Sequence, residues 1–268
     1  KTMSFSISGK TAIVTGAANG IGLSIARNFA DRGANVMCAD MDEARLKEEL
    51  GPHLDEGNMR YFAGDLRQRL TIANLISATI DAFDQVDILI NASRQVMTTD
   101  VLDVEDTSVE VLLEQNMMTS LRLTQQVAKR MIKQAADQTE GPVGTIVNLS
   151  SIAARSTRPE LMGYSIASAA MEQMTRSMAL ALAPQRIRVN AIAFGSVMSA
   201  SLKSSMIENS DWRDEIEKKT PLGRVAGPGE LVDAAQFLAS DASAFMTGEI
   251  VTVDGGRSLL DSVAAPAH

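Results

Sequence analysis

Short apolar runs alternate with amphipathic segments along most of the chain. The runs predict seven strands, at residues 11–15, 34–39, 59–63, 86–91, 144–149, 187–193 and 249–253. Helical segments separate nearly all of them, and apolar strands that alternate with helices are typical of a parallel sheet covered on both faces. The pattern therefore predicts a doubly wound α/β architecture.

Two of the predicted helices matter for function. The first is expected over residues 107–133 and opens at Thr107-Ser-Val-Glu110, where the threonine and the glutamate would form a capping box. The second is expected over residues 163–183, and Pro184 ends it.

Composition narrows the functional class. The 268 residues carry 25 basic and 33 acidic side chains, a net charge of −8, with 4% aromatics. An acidic chain with few aromatics lacks the charge and the stacking surface of a nucleic-acid binder. The only histidines are His53 and His268, so we expect neither a histidine-rich metal site nor a Ser-His-Asp triad.

The cysteine count, the apolar stretches and the length limit the possible location of the protein and its number of domains. Cys38 is the only cysteine, no apolar stretch reaches the length of a membrane span, and no signal peptide is recognisable. We expect a cytoplasmic protein without a membrane or metal partner. The length suits one domain, over residues 3–268, with Met3 as the natural start.

A glycine-rich turn lies between the first strand and the first helix. It reads Thr15-Gly16-Ala-Ala-Asn19-Gly20-Ile21-Gly22, and Asp40 follows at the end of the second strand. Glycines let the backbone approach a pyrophosphate, the helix N-terminus supplies free amides, and an acid about 20 residues later accepts from a ribose. A carboxylate there disfavours a 2′-phosphate, so NAD is favoured over NADP. A tight turn with a surface aspartate is the alternative interpretation.

These motifs, together with Asn91-Ala92, Ser151, Tyr164 and Val251-Thr-Val-Asp-Gly-Gly256, resemble the short-chain dehydrogenase/reductase family over residues 9–256. The resemblance implies a Rossmann-type seven-stranded sheet, a nicotinamide cofactor, and hydride transfer between a carbonyl and a secondary alcohol.

The resemblance also implies roles for individual residues. It assigns Asn116, Ser151 and Tyr164 to catalysis, with Asn116 ordering a water in a proton relay. It assigns these to cofactor binding: Gly16, Asn19, Ile21, Gly22, Asp40, Asp65, Leu66, Asn91, Ala92, Tyr164, Ser168, Gly195 and Val197. It further implies a homotetramer or dimer built from the helices at 107–133 and 163–183.

The chemistry of Ser151 and Tyr164 can also be argued from the residues alone. A tyrosine at the start of a helix that follows a strand lies at the carboxyl edge of the sheet, where doubly wound folds bind ligands. A phenol is a usable general acid for a ketone oxygen, and a serine hydroxyl can stabilise the same oxygen. A core tyrosine, a loop-capping serine and, for Asn116, a helix–helix contact are the alternatives.

The chain departs from the family pattern at the nicotinamide end. The family has Tyr-x-x-x-Lys, whereas Ser168 stands four residues after Tyr164. In the family that lysine binds the nicotinamide ribose and lowers the pKa of the tyrosine. Phe194 replaces a proline before Gly195, which predicts either a looser loop or a more crowded face.

Three arginines, Arg94, Arg155 and Arg158, are expected in loops that border the site. One of them could supply some of the missing positive field, or all could face solvent. The sequence therefore predicts an NAD-dependent oxidoreductase acting on an alcohol or carbonyl. A degenerate NAD-binding member with a binding, regulatory or assembly role is the alternative.

Overall fold

The computed structural model describes residues 4–51, 57–261 and 263. Met3, His53 and His268, which entered the expectations above, lie outside these ranges. The strands are β1 (Thr11–Thr15), β2 (Asn35–Asp40), β3 (Met59–Ala63), β4 (Ile88–Asn91), β5 (Gly144–Ser151), β6 (Ile187–Phe194) and β7 (Ile250–Val253).

The helices follow the strands in the expected alternation. They are α1 (Gly20–Asp31), α2 (Glu43–Leu50), α3 (Arg69–Phe83), α4 (Ser108–Leu112), α5 (Thr119–Gln134), α6 (Met162–Leu182), α7 (Ala200–Glu208), α8 (Trp212–Lys218) and α9 (Gly229–Ala239). Single 3₁₀ turns lie at Ile152–Ala154, Pro159–Leu161, Ala183–Gln185, Asp241–Ser243 and Arg257–Leu259.

The strands form one parallel sheet in the order β3-β2-β1-β4-β5-β6-β7. The chain winds outward from β1 in one direction and then from β4 in the other, so the switch point lies between these two strands. Ligands of doubly wound folds bind at the carboxyl edge beside such a point. The expectation of a Rossmann-type seven-stranded sheet is confirmed.

Alternate residues of each strand face opposite layers of core. Val14 packs into the cluster that contains Ile25 and Phe29 of α1 and Leu231 of α9. Its neighbour Ile13 packs into the cluster covered by α3, α5 and α6. Because both faces are buried, the strands are apolar throughout, which is why they were visible in the sequence.

One predicted helix differs in two respects. The capping box at Thr107 is wrong: the threonine side chain makes no capping bond, and the carboxylate of Asp106 accepts from the Ser108 amide at 2.7 Å instead. The predicted continuous helix is also interrupted, because a π-helical segment at Leu113–Met118 separates α4 from α5. The segment contains Asn116, and a π turn changes the direction in which such a side chain points.

Candidate active site

The glycine-rich turn packs backbone against backbone at the switch point of the sheet. Gly16 has φ +65°, and a Cβ atom there would lie 2.8 Å from the Cα atom of Ser93, in the turn after β4. Asn19 stands at the N-cap of α1, whose first turn contains no acidic residue. Free amides and an uncompensated helix dipole, at a turn whose glycines let the backbone come close to a ligand, fit the pyrophosphate of a dinucleotide.

Asp40 ends β2 beside this turn. Its Oδ2 accepts from the Ala18 amide at 3.1 Å, and its Oδ1 accepts from the Asp42 amide at 3.1 Å. Backbone amides therefore hold the carboxylate in place. These bonds bring no cationic side chain to it, so a negative charge lies at the edge of the glycine-rich turn.

Asp65 and Leu66 follow β3. Arg67 donates to both carboxylate oxygens of Asp65 at 2.8 Å, and these hydrogen bonds lower the pKa of that carboxyl. The side chain of Leu66 is buried. The sequence did not indicate the Asp65–Arg67 pair, although an acid two residues before an arginine in a turn permits it.

Buried polar side chains link the strands behind the site to the helices that flank it. Asn91 Nδ2 donates to Asn148 Oδ1 at 2.8 Å and to Thr124 Oγ1 at 3.1 Å. Asn148 Nδ2 in turn donates to Thr175 Oγ1 at 2.9 Å. This row connects α5, β4, β5 and α6, and a buried network of this kind fixes the relative positions of its elements.

Two hydrogen bonds to the end of β1 fix the turn after β4. Thr15 Oγ1 accepts from the amides of Ala92 and Ser93 at 3.0 and 3.1 Å. The end of β1 therefore sets the path of the chain as it leaves β4.

Ser151 and Tyr164 lie at the carboxyl edge of β5. Ser151 is the last residue of β5, and its Oγ accepts from the Ala153 amide at 3.1 Å. Tyr164 lies in the first turn of α6, with 7% of its surface exposed, and it packs with Ala153 and Leu112. Ser151 thus bonds Ala153, which belongs to the same small apolar cluster as Tyr164.

Ser168 lies one helical turn beyond Tyr164 and is buried. Its carbonyl oxygen accepts from Ser150 Oγ at 3.2 Å, which ties the start of α6 to the end of β5. An uncharged hydroxyl therefore occupies the position four residues after Tyr164.

Of the three arginines that the sequence places near the site, Arg94 is the one that contacts Tyr164. Its guanidinium donates to Tyr164 Oη at 2.5 Å, and the guanidinium carbon lies 4.3 Å from the centre of the Phe194 ring. Phe194 is the last residue of β6, it is 2% exposed, and it lies between Ser151 of β5 and Val253 of β7. Of the two expectations for this position, the crowded face fits this placement better than the looser loop.

Asn116 does not contact Tyr164 through its side-chain hydrogen bonds. Its Oδ1 accepts from the Gln95 amide at 2.7 Å, and its Nδ2 donates to the Gln95 carbonyl at 2.8 Å. The side-chain amide of Asn116 therefore fixes the backbone of Gln95, the residue that follows Arg94.

Gly195 and Val197 continue from Phe194 along the same edge. The Gly195 amide donates to the Val253 carbonyl at 3.1 Å, and Val197 pairs with Ala226. The segment 198–220 follows and contains α7 and α8.

The other two arginines make different contacts. Arg155 bonds the carboxylate of Glu172 at 3.0 Å, and Arg158 lies 3.6 Å from that of Glu160.

Within the described ranges there is no group of three or more potential metal ligands, and no helix there has the length and apolarity that a bilayer span requires.

Comparison with known proteins agrees with this geometry. The family model described as enoyl-(acyl carrier protein) reductase matches residues 16–258. An uncharacterized oxidoreductase of Mycobacterium tuberculosis is 32% identical over 253 residues, which cover 94% of this chain and 93% of that protein.

Two solved structures show how similar the fold is. One is a gluconate 5-dehydrogenase from Burkholderia cenocepacia in complex with NADP and tartrate (27% identity, TM-score 0.86, covering 96% of this chain and 98% of that one). Another is a 3-ketoacyl-(acyl-carrier-protein) reductase from Brucella melitensis complexed with NADH (28% identity, TM-score 0.84, covering 95% and 100%). From the glycine-rich turn to the Ser151–Tyr164 edge and across nearly its whole length, the chain belongs to the short-chain dehydrogenase/reductase family.

Proposed function

We propose that the chain is an NAD(H)-dependent oxidoreductase that transfers a hydride between nicotinamide and a secondary alcohol or carbonyl. Tyr164 acts as the general acid/base. The observation that carries this proposal is that Ser151, at the carboxyl end of β5, bonds Ala153, which shares one apolar cluster with Tyr164. One domain, over residues 3–268, contains the whole site.

The cofactor is held along this edge. Gly16, Asn19, Ile21 and Gly22 bind the pyrophosphate, and Asp40 binds the adenosine ribose. Asp65 and Leu66 contact the adenine, whereas Asn91, Ala92, Ser168, Gly195 and Val197 form the walls toward the nicotinamide end.

NAD is the preferred form because of Asp40. Backbone amides hold its carboxylate beside the turn, where it accepts from ribose hydroxyls and repels a 2′-phosphate. The related structures hold NADH in one case and NADP in the other, so the preference rests on this residue and not on family membership.

The reaction uses two hydroxyls of this chain. A bound nicotinamide supplies or accepts the hydride. Tyr164 donates its proton to the substrate oxygen in reduction and takes it back in oxidation. Ser151 donates a hydrogen bond to the same oxygen and stabilises its developing charge.

A small alcohol or carbonyl compound is the substrate, and segment 198–220 covers it. Homotetramer or dimer formation through the helices that include α5 and α6 is part of the proposal. Location in the cytoplasm stays a prediction.

Ser168 favours one alternative, a member that binds NAD and catalyses little, because the family's charged lysine is replaced by an uncharged hydroxyl. The two functions are separated by measuring NADH binding, through its fluorescence, and NADH consumption with a panel of carbonyl compounds. An enzyme shows both in the wild-type chain. A binding protein shows affinity without turnover and gains turnover in Ser168→Lys.

A further inference from the structure

We propose that Arg94 supplies, at Tyr164 Oη, the positive charge that the family places at position 168, and that Phe194 is the platform that holds it there. The inference rests on the proposed function and adds a catalytic residue to it. The departures at positions 168 and 194 then belong to one rearrangement, in which the cation comes from the turn after β4 and not from α6.

The contact is with the reacting atom itself. The Arg94 guanidinium donates to Tyr164 Oη at 2.5 Å, and the phenol is 7% exposed. A guanidinium is permanently charged, and a nearby cation favours the phenolate over the phenol. The effect is larger where water is excluded.

Phe194 accounts for the position of the charge. The guanidinium carbon lies 4.3 Å from the ring centre, which is the geometry of a cation–π contact. Phe194 is buried between neighbouring strands, so its ring is a fixed surface. A proline at this position offers no aromatic face.

The backbone on both sides of Arg94 is also fixed. Thr15 Oγ1 accepts from the Ser93 amide at 3.1 Å, and Asn116 bonds the amide and the carbonyl of Gln95 at 2.7 and 2.8 Å. These bonds fix the backbone from which the Arg94 side chain extends, so less freedom remains to be lost when its guanidinium binds the phenol. Asn116 is therefore a positioning residue for Arg94.

Other charged groups on the elements around α6 are bound elsewhere. Glu172, two turns beyond Tyr164, bonds Arg155 and lies 3.6 Å from Arg176. Glu114 of the π segment pairs with Arg122, and Arg158 pairs with Glu160 before α6. Glu110 of α4 is exposed. Of the described charged side chains, Arg94 is the one with a hydrogen bond to Tyr164 Oη.

The step that Arg94 assists is a proton transfer. In reduction, the O–H bond of Tyr164 breaks, its proton forms the O–H bond of the product alcohol, and the electron pair stays on Oη as phenolate. Arg94 stabilises this anion, and solvent returns the proton. In oxidation, the phenolate takes the proton of the alcohol.

The test needs neither substrate nor cofactor, because the chain has two tyrosines, Tyr61 and Tyr164. Near-ultraviolet absorbance of tyrosinate is followed against pH in the wild type and in Tyr164→Phe, and the difference is the titration of Tyr164. At a fixed alkaline pH below the midpoint, we expect about tenfold less Tyr164 phenolate in Arg94→Met than in the wild type.

Three further variants sharpen the test. Arg94→Lys keeps the charge and should restore most of the phenolate. Phe194→Leu keeps an apolar core side chain without a ring, and it should lower the phenolate fraction by less than Arg94→Met does. Arg158→Met removes a loop arginine that pairs with Glu160 and should titrate like the wild type. Cooperative thermal unfolding of each variant shows that it is folded.

Equal titration of Tyr164 in the wild type and in folded Arg94→Met would overturn the proposal, as would an equal effect of Arg158→Met. Unchanged titration in Phe194→Leu would remove the platform role. Because these measurements use the ligand-free chain, a negative result here is distinct from an absence of NADH turnover, which would contradict the proposed function.

Discussion

A Cβ atom on Gly22 would lie 2.2 Å from the carbonyl oxygen of Gly16. The first turn of α1 thus lies directly against the turn that precedes it, and Gly22→Ala forces backbone to move. We expect the variant to lose about 1–3 kcal/mol of unfolding free energy and to bind NADH more weakly. Denaturant unfolding and NADH fluorescence check both effects.

Gly229→Ala is the matched control, because Gly229 also begins a helix and a Cβ atom there meets nothing within 4 Å. We expect this variant to gain up to about 1 kcal/mol. Equal stability of the two variants would show that the close approach at Gly22 does not constrain the turn.

Asn116→Ala tests the clamp on Gln95. The change removes both hydrogen bonds to the Gln95 backbone and leaves partly buried groups unpaired, at a cost of about 1–3 kcal/mol. Because Arg94 then loses its fixed position, the alkaline titration of Tyr164 should move toward that of Arg94→Met.

Asn116→Asp keeps the acceptor for the Gln95 amide but sets a carboxylate oxygen against the Gln95 carbonyl at a buried position, so it should be at least as unstable as Asn116→Ala. A stability loss with unchanged Tyr164 titration would make Asn116 a structural residue without a positioning role.

Asp40→Asn tests the preference for NAD. The substitution retains one of the two oxygens that accept from backbone amides and removes the negative charge, so the ratio of NADPH affinity to NADH affinity should rise about tenfold. Fluorescence titration with each cofactor measures the ratio. Asp42→Asn removes a neighbouring charge while preserving the cap of α2, and it should leave the ratio unchanged. Equal ratios in the wild type and Asp40→Asn would refute the assignment of Asp40.

Cys38 links stability to pH. Burial raises the pKa of its thiol to about 12, with a smaller opposing effect of Arg27. The folded chain therefore holds the neutral thiol, and its stability falls as pH rises from the unfolded pKa of about 9 toward 12. Relative to Cys38→Ala, the wild type should lose up to about 1.4 kcal/mol of unfolding free energy per pH unit in that window. Parallel stability curves from about pH 8 to about pH 10 would contradict this.

Much of the fold could be predicted because the strands are buried on both faces and read as apolar runs. Their ends were less visible: β5 continues to Ser151 and β6 to Phe194, past the last residues predicted for each. The π segment was invisible because the apolar spacing of the helix continues through it. The helix begins where it was predicted, after Thr107, but the side chain that bonds its first amide is Asp106 and not a capping box at Thr107.

The candidate site was predictable as a set of residues and not as a set of contacts. The sequence marks Arg94, Tyr164 and Phe194 as individual residues of interest. Arg94 and Tyr164 are 70 residues apart in the chain, and Phe194 lies about 30 residues beyond Tyr164. The periodicity of a sequence carries no information on contacts between such distant residues. The turn after β4, bonded by Thr15 and Asn116, and the buried Phe194 ring together place the arginine at the phenol. Which cation lies beside Tyr164 could therefore be read only from the tertiary structure.

The central claim is that Tyr164 performs proton transfer in an NADH-dependent reaction. It is tested most directly by carbonyl-dependent NADH consumption in the wild type and Tyr164→Phe, with NADH affinity measured on the same samples. We predict turnover that falls by roughly 10²–10⁴ in the variant with unchanged NADH affinity. Equal turnover in the two chains would contradict the account.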